Sequence, residues 1–371
     1  MSANNTTYVT MIGPENMGKG SILAAMAGRL EAMSQAAGAR FVADSETAAL
    51  MNARRAALSG VFDDHLASEE FPLQGSAEDK TEPLRTYRFT FRSGVLDTPR
   101  YTLEVADIPT RRMAENSPEI IRQVQKSAVI LIAVDAIALM ERNEQGLSWH
   151  ETVNMPNAVH TLLMDADLIQ EAPQPQLVLF VPIRCEKYYH QPGGMEALQQ
   201  AVRKAYALIL AFLEKPRYTV GITPILTMGD VLFSRYDPAW DGCKPLFVFR
   251  RKDAAGQEHL PRYSPCFGEQ PLCWMAAFLM QLEQFQQEKK RQDQSAWGKV
   301  VKEALWLYAF GLMGLAARRL TAALKDHRVR RMMEALRASM KLEGDGYALV
   351  QDHLCLGGSD TDMKRIAAQV S

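Results

Sequence analysis

Apolar and polar positions over the first 230 residues alternate between two periods. Short apolar runs at Tyr8–Ile12, Ala128–Val134, Gln176–Val181 and Tyr218–Ile225 read as strands. Between them, helical spacing covers Ser21–Met33, Ser117–Gln125, Asn157–Leu168 and Met195–Leu213. Strands that alternate with helices predict a mostly parallel sheet covered on both faces, a three-layer α/β domain. One pair breaks that rhythm. Arg85–Arg92 puts Tyr87, Phe89 and Phe91 on one side with strict period two, and Tyr101–Ala106 repeats the pattern after a short turn. Two such runs predict an antiparallel hairpin.

Residues 34–83 show no strand pattern; a helix around Glu46–Leu58 and a polar stretch from Ser68 to Pro83 predict a variable, switch-like insertion. A short strand pair, Pro245–Arg250 with His259–Tyr263, and a helix over Pro271–Lys290 complete a first domain of residues 1–290. Residues 291–371 read as a mainly helical second domain, with strand character confined to Tyr347–Leu356.

The strongest chemical signal sits where the first strand meets the first helix. Gly13-Pro-Glu-Asn16-Met17-Gly18-Lys19-Gly20-Ser21 fits a phosphate-binding loop, with strand before it and helix after it. Glycines let successive backbone amides turn inward, the helix N-terminus adds partial positive charge, and Lys19 adds a full one. Gly20 stands where a serine or threonine hydroxyl ordinarily meets Mg²⁺, and Ser21, one place later, suits the α-phosphate or a weaker metal contact. The Lys-Gly-Ser sequence also resembles the loop of nucleotide kinases. A kinase would place a helix between its strands and carry an arginine-rich lid later, and the hairpin is against it.

The hairpin instead resembles the second and third strands of Ras-like, translation-factor-related GTPases. That resemblance places Asp107, in Asp107-Ile-Pro-Thr110, at the Mg²⁺-directed switch carboxylate. Arg111 falls where such enzymes carry a water-orienting glutamine, and it becomes a candidate arginine acting in cis. Arg184-Cys-Glu186 follows the strand whose end reads the base, with Arg184 to stack on a purine and Glu186 to accept from a guanine edge. Thr223, in Ile222-Thr-Pro, belongs to the last loop that contacts the base. Together with Glu269-Gln-Pro271-Leu before an apolar helix, these motifs resemble the bacterial double-GTPase (DO-GTPase) group over residues 6–288. The resemblance implies GTP and GDP with Mg²⁺ as ligands, and a nucleotide-dependent switch, set in a bacterial conflict or defence system. The loss of the Mg²⁺ hydroxyl, of the switch glycine and of the glutamine keeps a second reading open, a pseudo-GTPase scaffold.

Composition narrows the partners. With 42 Lys+Arg against 43 Asp+Glu, the net charge is −1, so nucleic acid is not the expected partner. Five scattered cysteines and seven histidines show no metal-ligand spacing, and the polar N-terminus has no signal-peptide pattern, so a reduced cytoplasm is the expectation. The uncharged run Ala304–Ala317 is too short to span a bilayer. With the basic residues after it, the helical tail reads as a protein-binding module.

Overall fold

The computed structural model describes residues 5–13, 18–36, 39–73, 84–93, 98–113, 117–168, 174–215, 217–238, 244–252, 256–272, 274, 275, 278 and 354–356. Its elements are β1 (Asn5–Gly13), α1 (Lys19–Ala36), β2 (Ala39–Ala43), α2 (Ser45–His65), β3 (Phe71–Pro72), β4 (Arg85–Ser93) and β5 (Thr98–Pro109). There follow α3 (Thr110–Met113), α4 (Pro118–Lys126), β6 (Val129–Asp135), α5 (Ala136–Met140), α6 (His150–Val153), α7 (Pro156–Leu168) and β7 (Gln176–Ile183). The rest are α8 (Glu186–Tyr189), α9 (Gly194–Ala205), α10 (Ala207–Phe212), β8 (Tyr218–Ile222), β9 (Val231–Asp237), β10 (Lys244–Phe249) and β11 (Leu354–Leu356).

The main sheet has the order β11-β8-β7-β6-β1-β5-β4-β2. The five strands from β8 to β5 are mutually parallel, whereas β4 is antiparallel to β5, β2 to β4, and β11 to β8. This is an α/β fold on a mostly parallel sheet, compatible with a phosphate-loop domain. The pleat divides the core cleanly. Val9 and Met11, Val129 and Leu131, and Leu177 and Leu179 face a cluster with Ile22, Leu23 and Met26 of α1. The alternate positions, Ile12, Ile130, Ile132, Val178 and Phe180, face α4, α7, α9 and α10 on the other side. Period two along each strand therefore becomes two apolar layers, one under each set of helices.

The insertion differs from expectation. Residues 34–83 contain two strands, β2 on the main sheet and β3 on a second sheet ordered β3-β10-β9. Their strand character comes from pairing: Phe41 lies opposite Phe91 of β4, and Phe71 opposite Phe247 of β10. The helix expected there exists and is longer, and Asp44 caps it by accepting from the Thr47 amide at 2.8 Å. The expected second strand over His259–Tyr263 does not form: β10 pairs with β9, and beyond β10 the turn is closed by a Lys252–Glu258 bridge and the His259 amide donating to the Arg251 carbonyl at 2.9 Å, while Tyr263 bridges to Gly229. The expected boundary at 290 and the helical tail lie outside the described residues, apart from β11, which falls inside the stretch given strand character. Among the described residues no helix is long and apolar enough to cross a membrane.

Candidate nucleotide-binding site

The C-terminal ends of the parallel strands gather most of the expected residues. β1 runs in register between β5 and β6, and Gly13 ends it beside Ala133. A Cβ on Gly13 would fall 2.7 Å from the Ala133 Cβ, so only glycine lets the loop leave the sheet here. Asn16 and Met17 lie outside the described residues. The chain is described again at Gly18, whose φ of 101° favours glycine, and its carbonyl accepts from the amides of Ser21 and Ile22 to open α1. Lys19 is buried, with 6% exposure. Its Nζ donates to the Gly13 carbonyl at 2.8 Å and stands 3.5 Å from Asp107 Oδ1. Loop start, lysine and β5 carboxylate thus meet at one place.

Thr110 and Arg111 open α3, directly after β5. The Arg111 side chain lies outside what is described. Arg112 reaches Glu119 at 4.0 Å, on the edge of ion-pair range.

The ends of β7 and β8 are organised differently. Arg184 adopts φ 55°, a left-handed conformation costly for a side chain with a Cβ. Its guanidinium is ion-paired with fully buried Asp135 at the end of β6 and lies 5.9 Å from the Phe247 ring centroid. Burial lowers its pKa to about 10, which leaves it charged at neutral pH. Asp135 also caps α5, its Oδ1 accepting from the amides of Ile137 at 3.0 Å and Ala138 at 3.1 Å. Glu186 is 2% exposed, and its Oε1 accepts from the Met228 amide at 2.8 Å. Burial pushes its pKa up to about 7, against the opposing pull of backbone amides at Met228, Gly229 and Thr227. Thr223 continues β8, its amide donating to Phe180, and its hydroxyl donates to Gln270 Oε1 at 3.3 Å.

Arg184, Glu186 and Thr223 therefore lie at the ends of β7 and β8, but each side chain is turned inward. A purine stacked on Arg184 would have to displace the Asp135 pair, and a guanine edge at Glu186 would have to displace backbone amides. The same self-sufficiency continues into Asp230, which accepts from Arg250 at 2.8 Å and from the Arg262 amide at 3.2 Å, with His259 at 3.1 Å.

One residue of the site escapes the motifs. Arg54 of α2 donates from Nε at 3.3 Å and from Nη2 at 3.2 Å to the Ser21 hydroxyl. A signal for it is present in the sequence. Thr47, Met51, Leu58 and Phe62 form the buried stripe of α2, and Arg54 and Arg55 both fall at its helical spacing between Met51 and Leu58. A cation in an inward stripe asks what it faces.

Ser21 is consequently a poor Mg²⁺ ligand. Its oxygen accepts two N–H groups from a cation, and a second cation on the same oxygen would be repelled. Asp107, 15% exposed, keeps carboxylate surface, but it stands beside Lys19. Among the described residues no group of three or more His, Cys, Asp or Glu side chains is arranged to hold a metal. The donor set does not fit the expected pair of ligands.

Comparison with protein-family models gives no match, and comparison with curated proteins gives none either.

Proposed function

We propose that the chain is a guanine-nucleotide-binding switch that grips its ligand mainly through the phosphates and hydrolyses it slowly. The observation that carries the reading is Lys19: a buried ammonium at a strand–glycine loop–helix junction, held between the Gly13 carbonyl and Asp107. Few other roles account for a lysine buried beside a helix N-terminus, where the backbone already carries positive potential. Preference for GTP over ATP is small, because Arg184 and Glu186 have internal partners to give up before they read a base. Turnover is slow because no glutamine follows Thr110 to position water. Residues 291–371 supply the protein contact through which the bound state is read.

Calorimetric titration of the full chain with a non-hydrolysable GTP analogue tests this. Wild type binds, and Lys19→Ala loses at least about a hundredfold in affinity while melting normally. Equal affinities would remove the central claim. The inward-turned Arg184 and Glu186 favour a second reading, a pseudo-GTPase scaffold. Under that reading phosphate release from bound GTP is undetectable, and assembly with partner proteins is unchanged in Lys19→Ala.

A further inference from the structure

Gly20 and Arg54 explain one another. A Cβ on Gly20 would touch the Arg54 stem, 3.8 Å from Nε and 3.9 Å from Cδ and Cγ. A larger side chain there would lie against the Arg54 side chain. The position that ordinarily offers an oxygen to Mg²⁺ is bare, and an arginine from another helix lies across it. α2 holds that arginine firmly. Its first turn is tied to β4, with the Arg88 amide donating to Thr47 Oγ1 at 2.8 Å and the Asp44 amide donating to the Arg88 carbonyl at 3.1 Å. Met51 packs into the main core, while Leu58 and Phe62 pack under the small sheet. Arg54, between these anchors, is half-buried, and its hydrogen-bond partner among the described residues is the Ser21 hydroxyl.

We propose that Arg54 is a phosphate ligand supplied in cis, taking over the neutralising role of a divalent cation, so that this chain binds a nucleoside triphosphate without metal. The inference rests on the phosphate-loop reading above. A guanidinium suits this role because it stays charged and its planar fork matches two phosphate oxygens at once. Among the described residues, Lys19 and Arg54 bring two cationic side chains to the start of α1, where Asp107 stands 3.5 Å from the Lys19 Nζ. An arriving polyphosphate takes the N–H groups now directed at Ser21, and no metal coordination has to be assembled first.

The test is titration of the full chain with a GTP analogue and, separately, with inorganic pyrophosphate, each in Mg²⁺ and in EDTA. Arg54→Gln keeps a side chain over Gly20 and a donor for Ser21 but removes the charge; Arg54→Lys keeps the charge without the fork. Wild type in EDTA stays within about tenfold of its affinity in Mg²⁺. Arg54→Gln loses more than about tenfold in EDTA and regains most of it in Mg²⁺, and Arg54→Lys lies between. Wild-type binding that falls by more than that in EDTA, or Arg54→Gln binding that equals wild type there, overturns the proposal. If neither ligand binds wild type in either buffer, the phosphate-loop reading itself fails. Melting curves of both variants show whether the fold is kept, and Arg54→Lys carries the comparison if Arg54→Gln does not fold.

Discussion

The two halves of the candidate site treat charge in opposite ways. At the ends of β1 and β5, Lys19 stands beside Asp107, and Arg54 donates to the Ser21 hydroxyl at the start of α1. At the ends of β6, β7 and β8, Arg184 is committed to Asp135, Glu186 to backbone amides, and Arg250 to Asp230. Both halves bury charge at a cost, but among the described side chains of the first, Lys19 and Arg54 outnumber the carboxylate of Asp107. A binding site needs such an excess, whereas a buried pair that is already satisfied mainly holds loops in register. On the proposed reading, recognition falls to the first half, and the second half holds the fold.

That contrast can be broken by substitution. Asp135→Ala should have the largest effect, since it strands the buried Arg184 charge and uncaps α5. A loss of about 3–5 kcal/mol in denaturant unfolding is expected, with no change in nucleotide affinity of the folded fraction. Unchanged stability with lost GTP preference would instead make Arg184 a base reader.

Glu186→Gln sharpens the same point through pH. The folded-state pKa of Glu186 is about 7, raised by burial above its ordinary 4.5. The folded protein holds that proton longer, so the contribution is fully present below about pH 4.5 and is lost as pH rises through 7. Wild type should therefore lose on the order of 3 kcal/mol relative to Glu186→Gln between about pH 4.5 and 8. Parallel stability curves for the two proteins would show that the carboxylate is not held as described.

Ser21→Ala should behave oppositely, shifting stability by less than about 1 kcal/mol, because it removes one hydroxyl acceptor from a half-buried arginine. Its effect should fall on phosphate affinity, by several fold. The smallest effect is the slowest process. Single-turnover phosphate release from GTP is expected at or below about 10⁻³ s⁻¹. A rate near about 1 s⁻¹ would show that Arg54 or Arg111 completes a catalytic site.

Legibility in the sequence follows the same division. The β1–α1 junction and the β4–β5 hairpin could be read because their signals are local: alternation, a glycine loop, a lysine at fixed spacing. What could not be read depends on partners far along the chain. β2 is five residues with an arginine inside, and it becomes a strand only against β4. β9 carries no clear strand signal, because Ser234 and Arg235 interrupt its apolar alternation, yet it is paired along its length with β10. Glu186 meets an amide 42 residues away. Spacing within Arg184-Cys-Glu186 indicates a charged pair at a strand end but not which way it turns. Arg54 is hidden for another reason: its stripe is legible, but the insertion carries no motif to direct attention to it.

The anchoring of α2 has a consequence for coupling. At 21 residues the helix is about 32 Å long, with Arg54 near its middle and Leu58 and Phe62 seated against Phe71, Phe249 and their neighbours. The guanidinium and the small sheet share one rigid rod. On the proposed phosphate reading, a molecule that binds β9 or β10 and shifts that helix would change phosphate affinity, and reciprocity requires phosphate to change that molecule's affinity by the same factor. On that reading, the occupancy of the phosphate site would be legible on the small sheet.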